Sequence, residues 1–284
     1  MRKIWVALAL ICIVVGLGGL IFTGFDFIYN TGETEYSKKW TFEPGQLNAL
    51  DIKSDYRVRV EFVQSPDHTN FIEVRGKASE EVAGKVEKAA IAGTELRLDL
   101  KNEWKLELRF LNFSGIGEQV VTVSLADGAI LDTLRADTGS NRLTIDRARV
   151  KNASLVTSSG GLRIDGLTAD DIQLASSSGS IRGEKIAGNI TVKGSSGKIW
   201  IEQSEGAARI HSTSGNVTLT QERVSETDVR ANSGSVRITV PRDFAGVYDV
   251  QTGSGSKNVP ESKGQTDEVV KVRTSSGSVR IVPS

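Results

Sequence analysis

The sequence predicts an all-β protein: a parallel β-solenoid of about eight coils, each 18–22 residues long, capped by an irregular β-rich N-terminal region and preceded by one transmembrane helix. Three observations predict it. A Ser-Gly motif recurs at a near-constant period through the C-terminal half. Apolar and polar residues alternate around each copy, which is the period of a strand and not of a helix. An unbroken apolar or glycine run, Ile4 to Phe22, follows directly on Met1-Arg2-Lys3.

Composition narrows the function classes. Of 284 residues, 38 % are hydrophobic and 25 % charged, which excludes a disordered, collagen-like or polytopic membrane chain. Lys and Arg number 35 against 35 Asp and Glu, and a net charge of zero argues against nucleic acid as a partner. Cys12 is the one cysteine, so no disulfide forms within the chain and no cysteine-based metal cluster exists. Only His68 and His211 carry imidazole. No catalytic residue, metal ligand or cofactor is assigned.

The first element is the apolar run. Its 19 residues span about 28 Å as a helix, enough for a bilayer core. Arg2 and Lys3 are the only charges before Asp26, which places the N-terminus in the cytoplasm and the C-terminal domain outside, in a single-pass cell-membrane protein. Residues 1–25 read as an uncleaved signal anchor, contacting the membrane through residues 4–22. A cleaved signal peptide has a shorter apolar core, and Gly18 and Gly19 make no A-x-A site. Lipidation of Cys12 is disfavoured, because Ile11 is bulky and Cys12 lies mid-run. Residues 26–39 form a polar linker.

Residues 40–131 read as a β-rich cap. Alternation marks strands from Tyr56, Asn70, Glu95, Trp104 and Gln119, and Ser79–Ile91 suits a short helix. This region lacks the Ser-Gly motif and packs on the first coil as part sheet and part degenerate coil.

The solenoid occupies residues 132–284. Its aligned glycines are Gly139, Gly160, Gly179, Gly197, Gly215, Gly234, Gly255 and Gly277, at spacings of 21, 19, 18, 18, 19, 21 and 22. Five residues before each stands Leu, Val or Ile, three before a small residue, and one before always Ser or Thr. Each copy is therefore a strand, a corner and a strand, followed by a variable return. Stacked coils about 4.8 Å apart bury the aliphatic columns that a single pair of strands leaves wet. Glycine supplies the positive φ of a sharp corner, and the adjacent Ser or Thr satisfies the corner's backbone. Leu167 and Ile186 fall on a partial third face. Val272–Pro283 forms the C-terminal end, where Pro283 stops strand pairing.

The anchor, the β-rich segment, the stretch from Val120 (VVTVSLADGAILDTLRADTG), the Ser-Gly-Ser coils and the stretch from Val240 (VPRDFAGVYDVQTGSGS) together resemble the bacterial "putative adhesin" β-solenoid family, which includes the LiaG-type membrane-anchored proteins of Gram-positive envelope-stress loci. The similarity spans about residues 45–284, and Ala126 departs from the proline often found there. The resemblance implies an extracytoplasmic, membrane-tethered domain with a role in envelope stress. It carries no catalytic residue over.

Candidate binding residues come from the outward columns. Three residues after the corner glycine lie Arg142, Arg163, Arg182, Trp200, Thr218, Arg237, Asn258 and Arg280. The arginines Arg142, Arg163, Arg182, Arg237 and Arg280 make a ladder for an anionic ligand. The plainer account is that outward strand positions need soluble residues, whose charge acidic neighbours cancel. Residues 132–284 carry 20 basic and 17 acidic residues, whereas 26–131 carry 13 and 18. Trp200 offers a face for stacking on a sugar, although a tryptophan tucked under a return loop explains it more simply. A second column holds Arg135, Val156, Ala175, Lys193, His211, Arg230, Gln251 and Arg273. Asp170-Asp171 reads as turn chemistry, and His211, between Lys193 and Arg230, has no Asp set to orient it as a base.

The sequence thus favours a non-catalytic, adhesin-like binding module at the cell envelope, with an envelope protein or anionic cell-wall polymer as partner. Two alternatives stay open: an accessory regulator of envelope-stress sensing, and a glycan-active β-helix enzyme.

Overall fold

The computed structural model describes residues 33–65, 67–102, 117–126 and 128–284. The anchor expected over residues 4–22, Cys12, and the strand expected from Trp104 lie outside them. Among the described residues no helix is long and apolar enough to cross a membrane.

The N-terminal part comprises β1 (Glu33–Phe42), β2 (Ala49–Ser54), β3 (Arg57–Gln64), β4 (Asn70–Ser79), α1 (Glu80–Lys88), β5 (Ile91–Ala92), β6 (Glu95–Leu100) and β7 (Glu118–Leu125). β1 begins at Glu33, inside the segment read as polar linker, because that polar stretch pairs antiparallel along the whole of β4. β4 in turn pairs antiparallel with β7. The helix starts where the Ser79 hydroxyl accepts the Val82 amide. Glu80 and Glu81 lie in its first turn, Lys85 and Lys88 in its last, and Val82, Ala83 and Val86 are buried.

The repeats fold as expected into parallel rungs: β8 (Leu131–Asp137), β9 (Leu143–Thr157), β10 (Leu162–Ser176), β11 (Ile181–Gly194), β12 (Ile199–Ser212), β13 (Val217–Ser233) and β14 (Val236–Val240). Ala136, Leu155, Leu174, Val192, Ile210 and Val229 stack in register, all of them buried. Leu167 and Ile186 pair on the third face and are also buried.

Two details of the corner differ from expectation. Gly139, Gly234, Gly255 and Gly277 have the expected positive φ, but Gly160, Gly179, Gly197 and Gly215 do not. Glycine is needed there because the next rung passes so close: a Cβ at Gly179 would lie 1.7 Å from the Gly160 carbonyl oxygen. The side chain serving the corner backbone is the one three residues before it. Thr157 Oγ1 donates to the Gly160 carbonyl at 2.8 Å, and Ser212 Oγ to that of Gly215 at 2.8 Å.

The first copy is offset by two residues. Gly160 stacks on Asn141, not on Gly139, and Thr138 Oγ1 donates to the Asn141 carbonyl at 2.7 Å. Leu155 pairs with Ala136 and Leu143 with Leu162.

Both ends of the stack break chain order. The chain closes with β15 (Val247–Ser254), β16 (Lys257–Asn258), β17 (Val269–Ser276) and β18 (Val279–Pro283). β17 lies between β13 and β15, and β18 between β14 and β16. Val272–Pro283 is therefore the penultimate rung and not the end, and Pro283 still pairs with Val240. The outermost rung is β15–β16, whose inward Tyr248 and Val250 are only partly buried. At the other end β2 lies between β6 and β8, and β3 between β7 and β9. Each end thus wedges the chain-terminal rung inside its sequence neighbour.

Candidate ligand-binding faces

The face following the Ser-Gly corner carries the expected outward column, with one substitution. Its order is Arg59, Thr144, Arg163, Arg182, Trp200 and Thr218, then Arg237, Arg280 and Asn258. Thr144 takes the place expected for Arg142, because of the two-residue offset in the first copy. In the second column Asp137, not Arg135, stands beside Val156 for the same reason. The wedged last coil brings Arg280 directly beside Arg237.

Two residues along each rung runs an acidic column that the sequence reading missed. Glu61, Asp146, Asp165, Glu184 and Glu202 occupy successive rungs. A stack of like charges at rung spacing is unfavourable by itself, and the parallel arginine column offsets it. The face is therefore a striped surface of alternating charge and not a uniformly basic ladder. The signal was present in the sequence, five residues after Gly160, Gly179 and Gly197, and after Asn141 once the corner of the first copy is set there.

Trp200 is not tucked under a loop. It is 37 % exposed, and the Arg182 guanidinium carbon sits 4.0 Å from the centre of its ring. The rung register puts the two side chains on adjacent strands, so the cation covers one ring face while the indole stays partly open.

Where the first coils meet β3, a concavity of about 700 Å³ opens on this face, and Arg59, Arg142, Arg147, Arg163 and Lys185 contribute to its lining. Arg59 bridges Glu118 at 3.4 Å and Asp146 at 2.8 Å. The hydrogen bond that Arg59 donates to Asp146, with support from Glu118, raises the Arg59 pKa. Lys185 lies 3.9 Å from Asp165. Arg147 occupies a second corner of the coil with φ +56°, stacked beneath Gly166 at φ +80°. Lys185 and Gln203 hold the same corner in later rungs, at φ +56° and +51°. Sequence reading passed over Arg147, because only the column that it shares with Gly166 marks it.

The remaining candidates stay apart. Asp170 and Asp171 are exposed within β10, where its register with β11 shifts. His211 lies between Lys193 and Arg230, as expected. Among the described residues no group of three or more His, Cys, Asp or Glu is placed to hold a metal ion.

Several solved structures are similar to this chain. They include putative adhesins from Bacteroides fragilis (12 % identity, 87 % of this chain and 97 % of that one, TM-score 0.44) and Parabacteroides merdae (14 % identity, 87 % and 96 %, TM-score 0.41). A putative lipid binding protein from Parabacteroides distasonis is 14 % identical, with 86 % and 96 % covered and a TM-score of 0.44. No curated protein matches the chain. The toastrack DUF4097 family matches residues 47–282. That match takes in the whole stacked core, from Leu47 ahead of the wedged first rung to Val282 in the wedged last one, so the chain belongs to the toastrack DUF4097 family.

Proposed function

We propose that this chain is a membrane-anchored, extracytoplasmic β-solenoid that acts as a non-catalytic binding module at the cell envelope. One observation carries the reading. Arg163, Arg182 and Trp200 stand on successive rungs with fixed register, so a row of guanidinium and indole side chains is anchored at rung spacing on a rigid backbone before any ligand arrives. Such preorganisation lowers the entropy cost of binding an extended partner. The basic pair Arg2-Lys3 ahead of the Ile4–Phe22 run supports the anchor and its orientation.

The test is retention of the detergent-solubilised full-length chain on cell wall freed of membrane. Replacing Arg163, Arg182 and Arg237 with Ser is expected to release it. Turnover of a cell-wall polymer by the purified chain overturns the non-catalytic assignment. A shift in envelope-stress output on deletion, with no retention on membrane-free cell wall, replaces this reading with a regulatory one.

A further inference from the structure

Resting on that reading and extending it to the ligand's chemistry, we propose that the concavity lined by Arg142, Arg147 and Arg163 binds phosphate groups of a soluble phosphodiester polymer.

Charge is the first argument. The lining holds five basic residues, Arg59, Arg142, Arg147, Arg163 and Lys185, against Glu118, Asp146 and Asp165, so 5 − 3 leaves +2. The three carboxylates are already engaged by Arg59 and Lys185. Arg142, Arg147 and Arg163 have no ion pair among the described residues. Three guanidiniums offer more N–H donors than the two oxygens of one carboxylate accept, while phosphate oxygens accept several forked bonds at once. A surplus of two positive charges fits a terminal phosphate or two consecutive diesters.

Backbone geometry is the second argument. The corner at Arg147 requires a left-handed residue, and the next rung meets that need with Gly166. A non-glycine residue there carries strain that glycine would not. Arg147 lines the concavity from that corner, as Lys185 does in a later rung. Its neighbours are rigid: Arg163 lies in β10, and Arg142 immediately precedes β9.

The same face argues against a bilayer as the source of phosphate. The acidic column of Glu61, Asp146, Asp165, Glu184 and Glu202 runs beside the arginines, and a flat anionic membrane meets all of it. A flexible polymer reaches the concavity one phosphate at a time.

The test uses the full-length chain in uncharged detergent, titrated calorimetrically with a glycerol-phosphate oligomer. Binding is expected, and to weaken with added salt. The triple variant Arg142→Gln/Arg147→Gln/Arg163→Gln is expected to lose roughly tenfold or more in affinity, while Arg223→Gln leaves it unchanged. Arg147→Gly separates binding from folding: it relieves the corner, so Tm holds or rises while affinity falls. The proposal is overturned if the oligomer does not bind, or if the triple variant binds it as tightly as the unaltered chain. Arginine-dependent capture by phosphatidic acid vesicles without oligomer binding also overturns it. If the oligomer fails to bind but the unaltered chain is retained on membrane-free cell wall, the binding-module reading survives and only the phosphate assignment falls.

Discussion

Gly277 rests on Gly234 and not on Gly255, the corner that precedes it in the chain. A Cβ at Gly277 would meet the Gly234 carbonyl oxygen at 2.2 Å, and one at Gly255 would meet that of Gly277 at 2.3 Å. The same exchange occurs at the other end, where Ile52 of β2 lies between Leu98 and Ala136. A plain solenoid frays from its terminal coil inward. Here each chain-terminal rung is enclosed, and the rung outside it depends on it.

The wedge makes Gly277 intolerant of a side chain. Gly277→Ala is expected to destabilise the protein by about 1–3 kcal/mol, the usual cost of overpacking against fixed backbone. Gly84→Ala is the contrast. Gly84 lies inside α1 with nothing within 4 Å of a built Cβ, so the change is expected to stabilise by up to about 1 kcal/mol through helix propensity. Denaturant unfolding of both variants checks the pair.

Truncation should act at a distance. Removing residues 261–284 deletes β17 and β18, and among the described residues β15 and β16 have no other strand partners. The expected result is loss of order back to about Val240, not loss of the deleted residues alone. Limited proteolysis with mass spectrometry reads this directly: cleavage should spread through residues 241–260. Protection of that stretch in the truncated chain would contradict the wedged arrangement.

Much of this architecture was legible in the sequence. The aliphatic residues five before Gly160, Gly179, Gly197 and Gly215 stack as their period requires, and Ser79 caps the helix whose start it marked. What escaped has a physical cause. A two-residue slip keeps every side chain on its own face, so alternation could not show that Gly139 was the wrong corner and that Thr144 replaces Arg142. The exchanged end rungs were hidden for a related reason. Val250 and Val272 are equivalent as aliphatic residues before a Ser-Gly corner, and only tertiary packing sets which one meets Val229. Trp200 was misjudged because its Arg182 partner is a rung neighbour, distant in sequence.

A buried polar patch interrupts the third face between β12 and β13. Thr227 Oγ1 donates to Gln221 Oε1 at 2.8 Å, and both residues are buried. Thr227→Val removes the donor and strands the amide oxygen, at an expected cost of about 1–3 kcal/mol. Adding Gln221→Leu to Thr227→Val removes the stranded oxygen as well. The double variant is expected to recover part of the loss, which a double-mutant cycle in denaturant measures. Strict additivity would show that the two side chains are not coupled.

Acid should loosen the outermost rung. Asp249 on β15 accepts a hydrogen bond from the Arg273 guanidinium on β17. That bond, helped by the charges of Arg273 and Lys271, holds the Asp249 carboxyl below its ordinary value of 3.8. The unfolded chain therefore binds the proton more readily than the folded one. The stabilisation is present above the ordinary carboxylate range and is lost as pH falls through it to the lowered folded-state value. Asp249→Asn removes the titrating group. The stability gap between the unaltered chain and this variant is expected to be constant at neutral pH and to shrink below about pH 4. Denaturant midpoints of both proteins across that range give the gap directly. A gap that widens as the solution is acidified would mean that Asp249 is not held in its charged form by Arg273.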